Sequence, residues 1–147
     1  MSEKEMLLQA CYGYVNKRID SYKNEIETIK DAIENNKSSD DEDDSGSGKL
    51  MHDLEKNMQY LSDAAKMKDV LNQINPKSST SSVGLGSIVK TTTNCFFISI
   101  SAGEIKLENK SVYAISMGSP IGLALSGKSP GEQLEFNGNK IKIDEIK

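Results

Sequence analysis

The chain has 147 residues, of which 36% are hydrophobic and 27% charged, with a formal net charge of −4. That length suits one ordinary domain or two small ones, and the composition excludes a chain that is disordered throughout. No run approaches the roughly 20 apolar residues needed to span a bilayer.

The N-terminus has acidic residues among its first five and lacks the basic start and apolar stretch of a signal peptide, so a cytoplasmic protein is expected. The charge is split unevenly. Residues 1–75 carry ten Lys/Arg against sixteen Asp/Glu, while residues 76–147 carry eight Lys against six Asp/Glu. An acidic first half argues against duplex DNA as a direct ligand, because phosphate binding needs clustered cations. It suits a basic protein surface or a metal ion. Cys11 and Cys95 belong to no CxxC pair and are expected in different structural units, as reduced thiols. His52 is the only histidine, which excludes a His-rich metal site; it is expected on a helix surface.

Residues 3–36 contain no proline. Leu8, Val15, Tyr22 and Ile29 stand seven apart, and Tyr12, Ile19, Ile26 and Ile33 repeat the spacing offset by four. This is a coiled-coil seam, and it predicts a helix about 50 Å long at about 1.5 Å per residue. Residues 37–48 break the pattern with five consecutive acids among serines and glycines, which predicts a loop.

Residues 49–74 resume a helical stripe through Leu50, Leu54, Met58, Leu61, Ala65, Leu71 and Ile74. A helix with one apolar stripe must pack on something. The nearest partner is the first helix, giving an antiparallel hairpin over 1–75 with its tip loop at 37–48; pairing between two chains is the structural alternative, and a monomer is expected. Pro76 and a Ser/Thr run make 76–82 a linker.

Residues 83–147 change character. Short β-branched and aromatic runs, GSIVKTT, CFFISI, KSVYAIS, QLEF and KIKIDEI, alternate with turn signals. Asn137-Gly138-Asn139 reads as a tight hairpin turn. Ser119 reads as an N-cap, with Pro120 at the first helical position and Gly127 as the stop of one short helix. The expected class is α+β: a helical hairpin followed by a small antiparallel sheet domain with one short helix.

The segment Ile115, Ser116, Ser119, Pro120, Ile121, Gly122, Ala124, Leu125, Gly127, Lys128 and Gly131, with GSIVK before it and KIKIDEI after, resembles the C-terminal domain of the Gre (GreA/GreB) transcript-cleavage factors. It departs from that family at Glu132, where the family usually has Asp. The resemblance covers residues 83–147; the first half matches in architecture more than in residues. It implies an FKBP-like fold for the C-terminal domain, resting on the rim of bacterial RNA polymerase near Gly118, Ser119, Pro120 and Ile121. It further implies a hairpin that enters the polymerase's secondary channel.

The Gre tip motif runs roughly Asp-Leu-x-Glu-Asn-x-Glu-Tyr. Asp53-Leu54-Glu55-Lys56-Asn57-Met58-Gln59-Tyr60 resembles it, with Lys56 where the second acid would stand. The hairpin's midpoint near residue 40 instead selects Asp40, Asp41, Glu42, Asp43 and Asp44 as tip. Carboxylates there can hold Mg²⁺ through one or two oxygens and complete a two-metal site beside another enzyme's ion. The implied activity is cleavage of backtracked RNA by the polymerase, with Mg²⁺ shared, no tightly bound cofactor, and no catalytic residue of this chain's own. The alternative is a secondary-channel regulator without cleavage. A prolyl isomerase needs an aromatic-lined pocket, and residues 83–147 offer only Phe96, Phe97, Tyr113 and Phe136.

Overall fold

The computed structural model describes the backbone of residues 1–37 and 45–147 and the side chains of residues 1–35 and 48–147. The chain divides into two compact units: Met1–Gly13 together with Asp69–Lys147, and Tyr14–Lys68. Two helices, α1 (Glu3–Lys37) and α2 (Ser45–Asn72), run through both boundaries. The class is α+β, a helical hairpin followed by a six-stranded, mostly antiparallel sheet with one short helix.

The start of α1 is capped by Ser2, whose hydroxyl accepts the Glu5 backbone N–H at 3.1 Å. Every predicted seam position of α1 is buried or half-buried, with Val15, Ile26 and Ile29 buried. In the unit Tyr14–Lys68, Tyr22 meets Tyr60 of α2 with ring centroids 5.5 Å apart. In the other unit, the Tyr12 hydroxyl donates to Asn72 Oδ1 at 2.6 Å. Early α1 residues thus pair with late α2 residues, and the helices are antiparallel.

Two expectations for α2 differ from the structure. It begins at Ser45, not near Lys49; a glycine costs a helix only about 1 kcal/mol, which a long helix absorbs. Its inward stripe is Leu50, Leu54, Asn57, Leu61, Ala64, Lys68 and Leu71, each buried or half-buried. Met58, 51% exposed, and Ala65 lie outside it. The regular four-three spacing takes precedence over residue type: keeping the stripe on one face admits Asn57 and Lys68 and excludes a methionine.

The strands are β1 (Ile88–Thr91), β2 (Cys95–Ser99), β3 (Gly103–Lys106), β4 (Ser111–Ser116), β5 (Gln133–Phe136) and β6 (Asn139–Ile146), in the order β3-β4-β2-β1-β6-β5. The short helix α3 spans Pro120–Leu125. The two-residue turn Asn137-Gly138 has positive φ at both positions, 52° and 80°, as a primed hairpin turn requires, and sets Phe136 opposite Asn139. One pairing departs from the antiparallel expectation. β2 and β4 are parallel, with Phe97 opposite Ala114, because β3 runs antiparallel along the far side of β4 and lets the chain return beside β2 in the same direction.

Central β2 is buried on both faces. One face carries the cluster Val83, Val89, Phe96, Ile98, Leu125 and Ile143. On the opposite face Phe97 and Ser99 are buried, and Cys11 Sγ lies 3.6 Å from Ser99 Oγ. Leu7, Leu8, Leu71 and Ile74, from the same unit, are also buried. The first turns of α1 and the last of α2 therefore complete the sheet's core. Cys11 and Cys95, expected apart, fall in one unit for this reason, and both are free thiols. Burial pushes the pKa of each up.

Candidate partner-binding surfaces

The sheet unit's candidate surface begins at α3. The Ser119 hydroxyl donates to the Ser116 carbonyl at 2.7 Å and accepts the Gly122 N–H at 3.1 Å, so it is committed to the cap. Pro120 occupies the first turn, where its missing N–H costs nothing. Gly122 admits no side chain: a Cβ would lie 2.1 Å from the Ser116 carbonyl oxygen. Gly127 stops the helix at φ 77°. Gly118 and Pro120 are exposed, Ser119 is half-buried, and Ile121 is half-buried against the core cluster.

Two features adjoin these residues. Leu123, on the outer side of α3, is 66% exposed. A cleft of about 490 Å³ lies beside the helix, with Phe96, Ile121, Phe136 and Ile141 as its apolar walls. Its rim is polar, with Asn94, Asn137, Asn139 and Lys140 and no carboxylate among the lining residues. The structure thus brings Ile121 together with Phe96 and Phe136, which the sequence shows only as scattered aromatics. The signal for Leu123 was present: in a six-residue helix, Ile121 and Leu125 share the buried face at i and i+4, which turns Leu123 outward.

On the helical unit, Asp53 is half-buried on α2 and its carbonyl accepts Asn57 Nδ2 at 2.9 Å. Lys56 directs its ammonium over the Tyr60 ring, 5.8 Å from the centroid. The tip candidates Asp40, Asp41, Glu42, Asp43 and Asp44 lie outside the described residues. Among the described residues no group of three or more His, Cys, Asp or Glu side chains could hold a metal ion, and no helix is long and apolar enough to cross a membrane. His52 is exposed, as expected.

The same unit presents a cluster that the sequence pattern conceals. Tyr14, Arg18 and Tyr22 stand four apart along α1. The Arg18 guanidinium lies 4.3 Å from the Tyr14 ring centroid and is held above its ordinary pKa first by a hydrogen bond with Tyr22. The heptad pattern places Tyr22 in the seam and Arg18 in the solvated face.

No family model and no curated protein matches the sequence. Solved structures do: the transcription factor Gfh1 aligns at 20% identity over 95% of this chain and 92% of its own, with a TM-score of 0.35. The GreA factor homolog 1 (Gfh1) protein of Thermus thermophilus aligns at 21% identity over 92% and 94%, also at 0.35.

Proposed function

We propose that this protein is a Gre-like accessory factor of bacterial RNA polymerase. Its sheet unit docks on the polymerase rim through Gly118, Ser119, Pro120 and Ile121, and its hairpin enters the secondary channel. The observation that carries the reading is the build of α3. Four of the Gre-like residues there have structural tasks. Ser119 caps, Pro120 starts the turn, Gly122 permits a close backbone approach, and Gly127 ends the helix. Together they display an exposed leucine beside an apolar cleft, which is the composition of an interface centre with a polar rim.

In this reading the chain is no enzyme. Asp40, Asp41, Glu42, Asp43 and Asp44 lend carboxylate oxygens to an Mg²⁺ ion at the polymerase's own site. That ion activates water and stabilises the leaving oxygen as backtracked RNA is cleaved. A second reading, regulation of the channel without cleavage, is favoured by Lys56, which stands where the Gre-like motif would have its second acid.

The test is a pull-down of core polymerase followed by a cleavage assay on a backtracked complex. Capture by the parent and loss of capture by Leu123→Asp, with unchanged melting, supports docking through α3. A parent that captures no polymerase overturns the proposal. Conversion of the five tip acids to Asn and Gln should abolish cleavage and spare binding. A parent that binds but never stimulates cleavage selects the regulator.

A further inference from the structure

The Tyr14–Arg18–Tyr22 face of the hairpin has a feature the docking reading does not use. Arg18 is exposed, yet Tyr14 lies under its guanidinium at 4.3 Å, and Tyr22, one turn further along α1, lines the same cleft. Tyr22 is itself braced by Tyr60 at 5.5 Å, and Lys56 covers the Tyr60 ring. The surface is concave, with clefts of about 190 and 350 Å³ that share Tyr14 and Arg18.

Among the described residues Arg18 has no carboxylate within salt-bridge distance. Asp63, the one acid lining either cleft, accepts from Gln59 Nε2 at 3.0 Å. A guanidinium stacked on an aromatic ring, whose planar fork still lacks a carboxylate, can take one supplied from outside. Tyrosine and arginine in such a setting are the residues that carry interface energy.

We infer that Tyr14, Arg18, Tyr22 and Tyr60 form a recognition site for an acidic segment of a protein partner, one of whose carboxylates pairs with Arg18. The partner's identity as the polymerase rests on the function proposed above; the ligand chemistry does not. Charge complementarity selects the occupant. The lining cations Lys17 and Arg18 outweigh Asp63, and Lys56 lies over the ring of Tyr60, itself a lining residue. Nucleic acid fits less well. Its affinity comes from many simultaneous phosphate contacts, and the two clefts are lined by Lys17 and Arg18 as their cations, enough for one carboxylate rather than a phosphate chain.

The experiment has two arms, both with the full chain. In the first, the Arg18 Nε–H and tyrosine ring signals are followed by NMR against a blocked glutamate-rich peptide, its glutamine counterpart and a single-stranded RNA. Shifts with the acidic peptide alone, lost in Arg18→Gln, support the site. No shift at millimolar acidic peptide overturns it, and a response to RNA alone overturns it in favour of a nucleic-acid surface. In the second arm, Arg18→Glu should weaken core-polymerase binding at least tenfold without lowering the melting temperature, and Tyr14→Leu should weaken it less. Unchanged affinity in Arg18→Glu overturns the site while leaving α3 docking intact. A parent that does not bind polymerase overturns the docking proposal, and the peptide arm then decides the site alone.

Discussion

In the sheet unit, Val89, Phe97, Ile98, Val112, Leu125 and Ile143 are sealed from solvent on both faces of one central strand pair and its neighbours. In the hairpin unit only one face is available. Val15, Ile26, Ile29 and Ala64 are buried there, while Ile19, Tyr22, Ile33, Leu54 and Leu61 stay half-exposed. Burial stabilises by about 25 cal/mol per Å² of apolar surface, so the two regions differ in what holds them. The sheet unit has a core that buries large side chains completely. The hairpin has a seam, and much of its apolar surface still faces water. Such an element is held by register and by helix length, and it leaves its outer side free to carry charge and aromatic contacts.

Four substitutions test that contrast. The largest effect belongs to Phe97→Ala. Phe97 is fully buried between Ile88 and Ala114, and truncating it should cost about 3–5 kcal/mol, read as a fall in the urea midpoint. A loss below about 1 kcal/mol would mean the sheet core is no tighter than the seam. Ile26→Asp comes next. Ile26 is 9% exposed, so an aspartate there must shed water without a partner, at a cost of roughly 3 kcal/mol. The two-unit division predicts where the loss appears: hydrogen exchange should accelerate in residues 14–35 and 48–68, while β2 amides keep their protection. Equal acceleration in β2 would show one cooperative unit.

Lys4 probes how the sheet unit fastens its helical ends. Its ammonium is buried and donates to the carbonyls of Ser78 at 2.9 Å and Lys147 at 3.2 Å. Lys4→Met leaves the Ser78 carbonyl short, whereas the Lys147 carbonyl keeps the Ile88 N–H at 3.1 Å, so about 1–2 kcal/mol should be lost at neutral pH. Burial also pulls the Lys4 pKa below its ordinary 10.5. The folded state then binds this proton less tightly than the unfolded chain. Stability therefore rises with pH across the interval between the folded value and 10.5, and not below it. Lys4→Met should abolish that alkaline rise; a variant with the parent's pH profile would remove Lys4 as its source.

The contrast also accounts for what was legible in the sequence. The α1 seam, five of the strands, the Asn137-Gly138 turn and the Ser119 cap each carry a local signal, and the structure has each of them. β3 carries none. Its residues Gly103, Glu104, Ile105 and Lys106 sit at the sheet edge with Ile105 alone half-buried, so the alternation within the strand rests on one apolar residue, too short to read. The burial of Leu7, Cys11, Leu71 and Ile74 under the sheet was also hidden, because an inward helical stripe does not say what it faces. The Arg18 cluster escapes the sequence because its three α1 members look like one seam residue and two surface residues until the helix brings them onto one face.

The smallest expected effect, Asn57→Leu, has the opposite sign. The stripe Leu50, Leu54, Asn57, Leu61, Ala64 puts a half-buried amide at a seam position, and the cross-helix meeting of Tyr22 with Tyr60 places Ile26 at about its level. The amide spends one donor on the Asp53 carbonyl of its own helix and so makes no demand on α1. Replacing it with leucine adds apolar surface to a half-buried stripe and should stabilise the hairpin by about 1 kcal/mol, read in the urea midpoint. A polar seam residue also holds a coiled coil to one register and one partner. The same variant should therefore self-associate more readily, which light scattering would detect as a rise in mass. Greater stability with a growing dimer fraction would mean that Asn57 keeps the two helices paired within one chain. A loss of stability would show that the stripe is displaced and that Met58, not Asn57, faces α1.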